Sequence, residues 1–252
     1  MFIFDTHAHY DDERFLPQLD KLVSDMQSNG VCGIITCGTD YESSAFSLEL
    51  ASRYDIMYAA VGIYPHDIVK VGEFDKERLC RLLSDKKAVA VGEIGLDYYY
   101  DDTPKQTQLE WIEKLLQLSK EVGKPISFHD RDAHDDMLRL MKKYRPTGVI
   151  HCFSGSAEMA KEIVRLGMYI GVGGVLTFKN AKKLVNVCRE IPLQKIVLET
   201  DAPYMAPEPV RGMLNRSDYI HYIAEKLAEV KGESVETVCE VTTENAKRVF
   251  GI

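Results

Sequence analysis

Eight short apolar runs, each followed by a stretch with helical periodicity, set the strongest limit on how this chain can fold. Phe2-Ile3-Phe4 opens the series, and Gly33–Gly38, Met57–Val61, Ala88–Glu93, Pro125–His129, Gly148–His151, Tyr169–Val172 and Lys195–Glu199 continue it. Helical patterns separate them at Pro17–Asn29, Tyr41–Tyr54, Asp75–Ser84, Lys105–Val122, Asp132–Tyr144, Ala157–Leu166 and Asn180–Arg189. Two more, Ser217–Lys231 and Val235–Phe250, close the chain, with Ser234 as the N-cap of the last. In the first helix Leu19, Leu22, Val23 and Met26 share one face, and Gly30 ends it. Strand and helix alternating at a spacing of roughly 30 residues is the pattern of an α/β fold, a single TIM-type (β/α)8 barrel with an extra C-terminal helix. An open doubly wound sheet is the alternative, but no G-x-G-x-x-G follows the first strand to recommend it. Without a composition break, low-complexity tract or internal repeat, residues 1–252 read as one barrel domain. Its expected mobile loop is the polar, proline-bearing passage Asp201–Ser217.

In such a barrel functional residues gather at the carboxyl ends of the strands. The first run leads into Asp5-Thr6-His7-Ala8-His9, and alternation along a strand puts His7 and His9 on one face. That pair alone is a weak signal, because polar residues often finish a strand. The fourth run ends in Glu93, the fifth in His129 and the sixth in His151, and the eighth leads to Asp201. Five strands thus deliver these histidines and carboxylates to one rim, more ligands than one zinc ion needs.

Two divalent cations sharing Glu93 are the expected arrangement, with His7, His9 and Asp201 completing one ion and His129 with His151 the other. Their identity among Mg²⁺, Mn²⁺ and Zn²⁺ stays open, since imidazoles favour zinc while phosphodiester chemistry often runs on the harder ions. Such a pair polarises an ester or phosphoryl oxygen and acidifies a bound water, whose proton Asp201 can accept. Asp201 and Glu93 are therefore the catalytic candidates, and the reaction class is metal-assisted hydrolysis.

Weaker signals surround this set. His66, after the third run, and Arg131 and Arg211, on rim loops, can contact substrate, the arginines by gripping a phosphate; each can equally be a solvated loop residue. Asp5 either supports a ligand histidine or caps nearby backbone. His134 and His221 fall inside helical patterns as surface residues. Cys152 beside His151 suggests a thiol nucleophile, although a buried small side chain is the expected role. With 31 basic against 39 acidic residues and a formal charge of −8, the chain is poorly suited to holding nucleic acid by charge alone. Bound cations can still hold a phosphate locally. The six scattered cysteines form no C-x-x-C, no run reaches about 18 apolar residues, and Met1 leads directly into the histidine strand. A cytoplasmic protein with no membrane partner, monomeric or weakly oligomeric, is expected.

Five motifs in order carry a resemblance. Asp5-Thr6-His7-Ala8-His9, Gly92-Glu93-Ile94-Gly95-Leu96-Asp97-Tyr98, His129-Asp130-Arg131-Asp132-Ala133, His151-Cys152-Phe153-Ser154-Gly155 and Glu199-Thr200-Asp201-Ala202-Pro203-Tyr204 are similar to the successive signatures of the TatD family of metal-dependent hydrolases. Thr242 to Phe250 resembles that family's C-terminal helix. The resemblance spans essentially the whole chain. It implies a TIM-type barrel of the amidohydrolase superfamily, divalent cations at the six positions named above, and a nucleic-acid substrate. The implied activity is that of a deoxyribonuclease acting 3′ to 5′ on single-stranded DNA and sometimes RNA. Relatives that deacylate aminoacyl-tRNA keep another ester or amide as an alternative, and a non-catalytic accessory barrel that binds metal is a third reading. Three positions depart from the family pattern. Tyr64 replaces the first histidine of His-Pro-His, Tyr100 an arginine, and Val210 the histidine of Pro-His-Arg-Gly. All lie outside the ligand set, so the resemblance implies retained hydrolysis with an altered phosphate grip.

Overall fold

The computed structural model describes residues 1–252. Eight parallel strands hydrogen-bond in chain order: β1 Ile3–Ala8, β2 Val31–Cys37, β3 Met57–Val61, β4 Ala88–Asp97, β5 Ile126–Arg131, β6 Gly148–Ile150, β7 Tyr169–Val172 and β8 Ile196–Leu198. The ring closes just past β8, where Ala8 bridges Ala202 and the Asp201 N–H donates to the His7 carbonyl at 2.9 Å. The helices are α1 Leu19–Ser28, α2 Tyr41–Arg53, α3 Ile68–Val71, α4 Lys76–Leu83, α5 Lys105–Val122, α6 His134–Tyr144, α7 Ala157–Arg165, α8 Lys182–Glu190, α9 Ile220–Lys231 and α10 Val235–Phe250. This is the (β/α)8 barrel expected from the alternating runs.

Local chemistry accounts for the helix starts. Asp40 and Ser43 form a capping box at α2, and Ser234 accepts from the Thr237 N–H at 3.0 Å to start α10. The strands bury both faces, which is why they read as continuous apolar runs. Sixty-one buried side chains form one core cluster. A second, of 11, joins Phe4, Ile35, Ala60, Val149 and Val197 to Ala246 and Phe250 of α10. Asn245 ties α10 to the eighth strand by donating to the Leu193 and Ile196 carbonyls at 2.9 and 2.8 Å.

Several boundaries differ from the sequence expectation. β4 continues past Glu93 to Asp97, and β5 past His129 to Arg131. The extension is possible because Gly95 carries no side chain: a Cβ there would collide with the His129 backbone, with which Gly95 is in register. The single-turn helix α3 is too short to show periodicity. His134 and His221 are half-buried rather than free at the surface. His134 Nδ1 lies 2.9 Å from Asp130, and His221 Nε2 lies 2.6 Å from the Asn29 carbonyl. The passage Asp201–Ser217 has little regular structure but is anchored by Asn215. That residue is fully buried, and its amide donates to the Thr200 and Tyr204 carbonyls at 2.8 and 2.6 Å.

Candidate metal centre

All six residues singled out at the strand ends meet at one end of the barrel. His7 lies in β1 and His9 one residue beyond it, and their Nε2 atoms are 3.3 Å apart. Register shifts in β1 between Asp5 and Ala8 accompany this convergence, so simple alternation does not describe it fully. Glu93, buried within β4, stands between two pairs of imidazoles. Its Oε2 lies 3.5 Å from His7 Nε2 and 3.6 Å from His9 Nε2. Its Oε1 lies 2.9 Å from both His129 Nδ1 and His151 Nε2. Asp201, past the end of β8, places Oδ1 3.6 Å from His9 Nε2 and 4.0 Å from His7 Nε2. The His7 and His151 rings stack at 3.9 Å. Two groups have donor atoms close enough to share an ion: His7 with His9 and Asp201, and His7 with Glu93 and His151. His7 therefore reaches both halves.

The rings are held from behind. His9 Nδ1 is 2.9 Å from the Cys37 carbonyl, which can only accept, so Nδ1 carries a hydrogen and Nε2 is the nitrogen turned toward the carboxylates. His129 Nε2 is 3.0 Å from Asp97 Oδ2, leaving Nδ1 toward Glu93. Asp97 is itself fully buried, accepting from the Tyr64 hydroxyl at 3.0 Å and the Tyr99 N–H at 2.9 Å. Gln108 of α5 clamps its backbone, accepting from the Asp97 N–H and donating to the Asp97 carbonyl, both at 2.8 Å.

Burial opposes the charge on Glu93, but the imidazoles of His151 and His7 and hydrogen bonds from His129 and His151 hold the carboxyl well below its ordinary range. Burial likewise opposes charge on His9, yet its bond to Asp201 and the charges of Glu93 and Asp201 push it up to about 9. His7 goes the other way, to about 4, through burial and the nearby His151. Four imidazole nitrogens aimed at buried carboxylate oxygens, with His9 and His129 backed by acceptors on their far nitrogens, suit divalent cations. The donor set fits such ions.

Other residues fall into place around this set. Asp5 accepts from the Thr200 N–H at 2.9 Å and the Ser217 hydroxyl at 2.6 Å, so it ties backbone together rather than backing an imidazole. His66 is not a solvated loop residue: Nε2 lies 3.4 Å from Asp97 and Nδ1 contacts Asp102. Burial holds the Cys152 thiol well above its ordinary range, which disfavours the thiolate that a nucleophile needs.

Sequence reasoning passed over Asp97, Gln108 and Glu199. Glu199 accepts from the Cys152 N–H, and burial pushes its carboxyl up to about 8. Its signal was its place at the end of the eighth apolar run, and Asp97 had a similar one within the Gly92–Tyr98 motif. A cavity of about 990 Å³ opens above the set, lined by His9, Glu93, His129, His151 and Asp201 together with Tyr64, Tyr100, Arg131, Lys183 and Tyr204. Arg211 lies outside it, in an adjoining hollow of about 280 Å³ shared with Phe178 and Met205, its guanidinium 4.1 Å from the Phe178 ring.

Comparison with known proteins agrees with this geometry. A family model described as TatD related DNase matches residues 4–251. The metal-dependent hydrolase YabD of Bacillus subtilis is 40% identical over 253 residues, covering 99% of each chain. The metal-dependent hydrolase YcfH of Escherichia coli K12 is 34% identical over 258 residues, covering 100% of this chain and 97% of its own. Among solved structures, the TatD homolog YjjV of Escherichia coli K12 superposes with a TM-score of 0.94 at 33% identity, covering 99% of this chain and 98% of its own.

Proposed function

The chain belongs to the TatD-related DNase family, and from that premise we propose that it is a two-metal hydrolase of phosphodiester bonds in single-stranded DNA or RNA, removing nucleotides from the 3′ end. The observation that carries this reading is the position of Glu93, whose two oxygens each face a separate pair of imidazoles. His7, His9 and Asp201 would hold one cation, His129 and His151 the other, and Glu93 would bridge them. Bound there, divalent cations supply charge to polarise the phosphoryl group and acidify a water.

The chain's own residues do the rest. Asp97 and the Cys37 carbonyl keep His129 and His9 turned toward the centre. Asp201 lies at the cavity edge, its carboxyl kept below the ordinary range against burial by His9, His151 and His7. It is placed to accept the proton of the attacking water. Arg131 lines the same cavity and contacts the substrate phosphate. The six cysteines are all unpaired, as suits a reducing, cytoplasmic setting.

The test is digestion of a 5′-labelled single-stranded oligonucleotide with added Mg²⁺, Mn²⁺ or Zn²⁺, with EDTA and Asp201→Asn controls. Stepwise shortening from the 3′ end that stops in both controls is expected. Hydrolysis of a carboxyl ester or aminoacyl-tRNA with no nucleotide released under any ion would refute the phosphodiester reading.

A further inference from the structure

Around the cavity mouth the chain displays aromatic surface. Tyr99 and Tyr100 are 57% and 49% exposed, although most large apolar and aromatic side chains of this protein are buried. Tyr100 lines the cavity, and a tyrosine ring, apolar on its faces and polar at its hydroxyl, suits a surface that is wet when empty and covered when bound. Arg131, the last residue of β5, packs its guanidinium over both rings, 3.8 Å from the centroid of Tyr99 and 5.1 Å from that of Tyr100. It lines the cavity without an ion pair to any carboxylate, in a protein of net charge −8. Seated over Tyr99, it keeps its planar set of N–H donors for a phosphate.

Tyr100 also makes an edge contact with His66 at 5.0 Å, and His66 in turn packs 5.4 Å from Tyr64. Tyr64 stands 4.9 Å from His129 of the metal set. A run of rings therefore leads from the candidate metal centre outward to Tyr100. Tyr100 lines the same cavity as Glu93 and His129, so a strand seated at the centre can pass that ring.

We propose that Tyr100, backed by Tyr99 and Arg131, is a base-stacking subsite that receives the nucleobase next to the cleaved linkage, with Arg131 gripping the adjoining phosphate. The inference rests on the phosphodiester reading above and adds to it a stacking wall that holds a base without regard to its identity. Every base offers a π-face, whereas a paired duplex keeps those faces covered by its own stacking.

The experiment compares wild type, Tyr100→Leu and Tyr100→Trp, each loaded with Mn²⁺, on a single-stranded oligonucleotide and on methyl 4-nitrophenyl phosphate, a diester with no nucleobase. Tyr100→Leu is expected to raise KM for the oligonucleotide about 5- to 150-fold, the range for losing one stacked base, with a much smaller change on the small diester. Tyr100→Trp is expected to match wild type. An unchanged KM in Tyr100→Leu, or an equal loss on both substrates, would overturn the subsite while leaving the phosphodiester reading standing. A wild type that cleaves neither substrate would overturn both.

Discussion

Replacing Asp97 with asparagine isolates how His129 is aimed. The carboxylate can only accept, so at 3.0 Å from Asp97 Oδ2 the His129 Nε2 carries a hydrogen, and the proton a cation would displace is the one Nδ1 donates to Glu93 at 2.9 Å. An asparagine of the same shape can turn its amide toward Nε2. The neutral ring then keeps its hydrogen on Nδ1, the atom that has to meet a cation. Removing a carboxylate that supports a ligand histidine typically weakens metal binding 10- to 100-fold, or about 1.4 to 2.7 kcal/mol at 1.36 kcal/mol per tenfold. The side chain keeps its volume, so the barrel should stay folded, with circular dichroism like that of wild type. Equilibrium dialysis against buffered Zn²⁺ or Mn²⁺, followed by elemental analysis, gives the affinity. The His129 half of the centre should weaken by that factor while the His9 half holds. Wild-type affinity at full occupancy in folded Asp97→Asn would refute the argument that Asp97 sets the tautomer.

Two further outcomes test the frame that positions the centre. Asn215→Ala strands the Thr200 and Tyr204 carbonyls that its amide now satisfies; urea denaturation should show a loss of about 2–4 kcal/mol, and an unchanged midpoint would mean the passage after β8 is not anchored there. Burial pushes the Cys188 thiol up to about 12, so iodoacetamide at pH 8 should leave Cys188 unmodified in the native protein and alkylate it only in denaturant, as read by peptide mass spectrometry. Rapid native alkylation of Cys188 would contradict the packing of α8 against the barrel.

The convergence of the six residues was legible because side chains at the carboxyl ends of barrel strands share one rim, and each ended or followed an apolar run. What supports them was not. Asp97 lies four positions beyond Glu93, past Gly95, which interrupts the apolar pattern. Its role depends on Gly95 letting β4 run on beside His129 and on Gln108 arriving from α5. Asp5 was visible, but its partners Thr200 and Ser217 lie 195 and 212 positions away in the chain, beyond any local pattern. His66 read as a loop residue, and only the folded chain shows it wedged between Asp97 and Asp102. Helix and strand ends shifted by a few residues because single turns such as Leu193–Lys195 and Ser217–Tyr219 leave no periodicity to read.

Crystals grown with Mn²⁺ or Zn²⁺ and measured at the metal's absorption edge put the two-cation centre to its most direct test. Two anomalous peaks are expected on either side of the Glu93 carboxylate, one beside His7, His9 and Asp201 and one beside His129 and His151. Crystals whose metal lies elsewhere, with Glu93 and the four imidazoles still bonded only to one another, would contradict it.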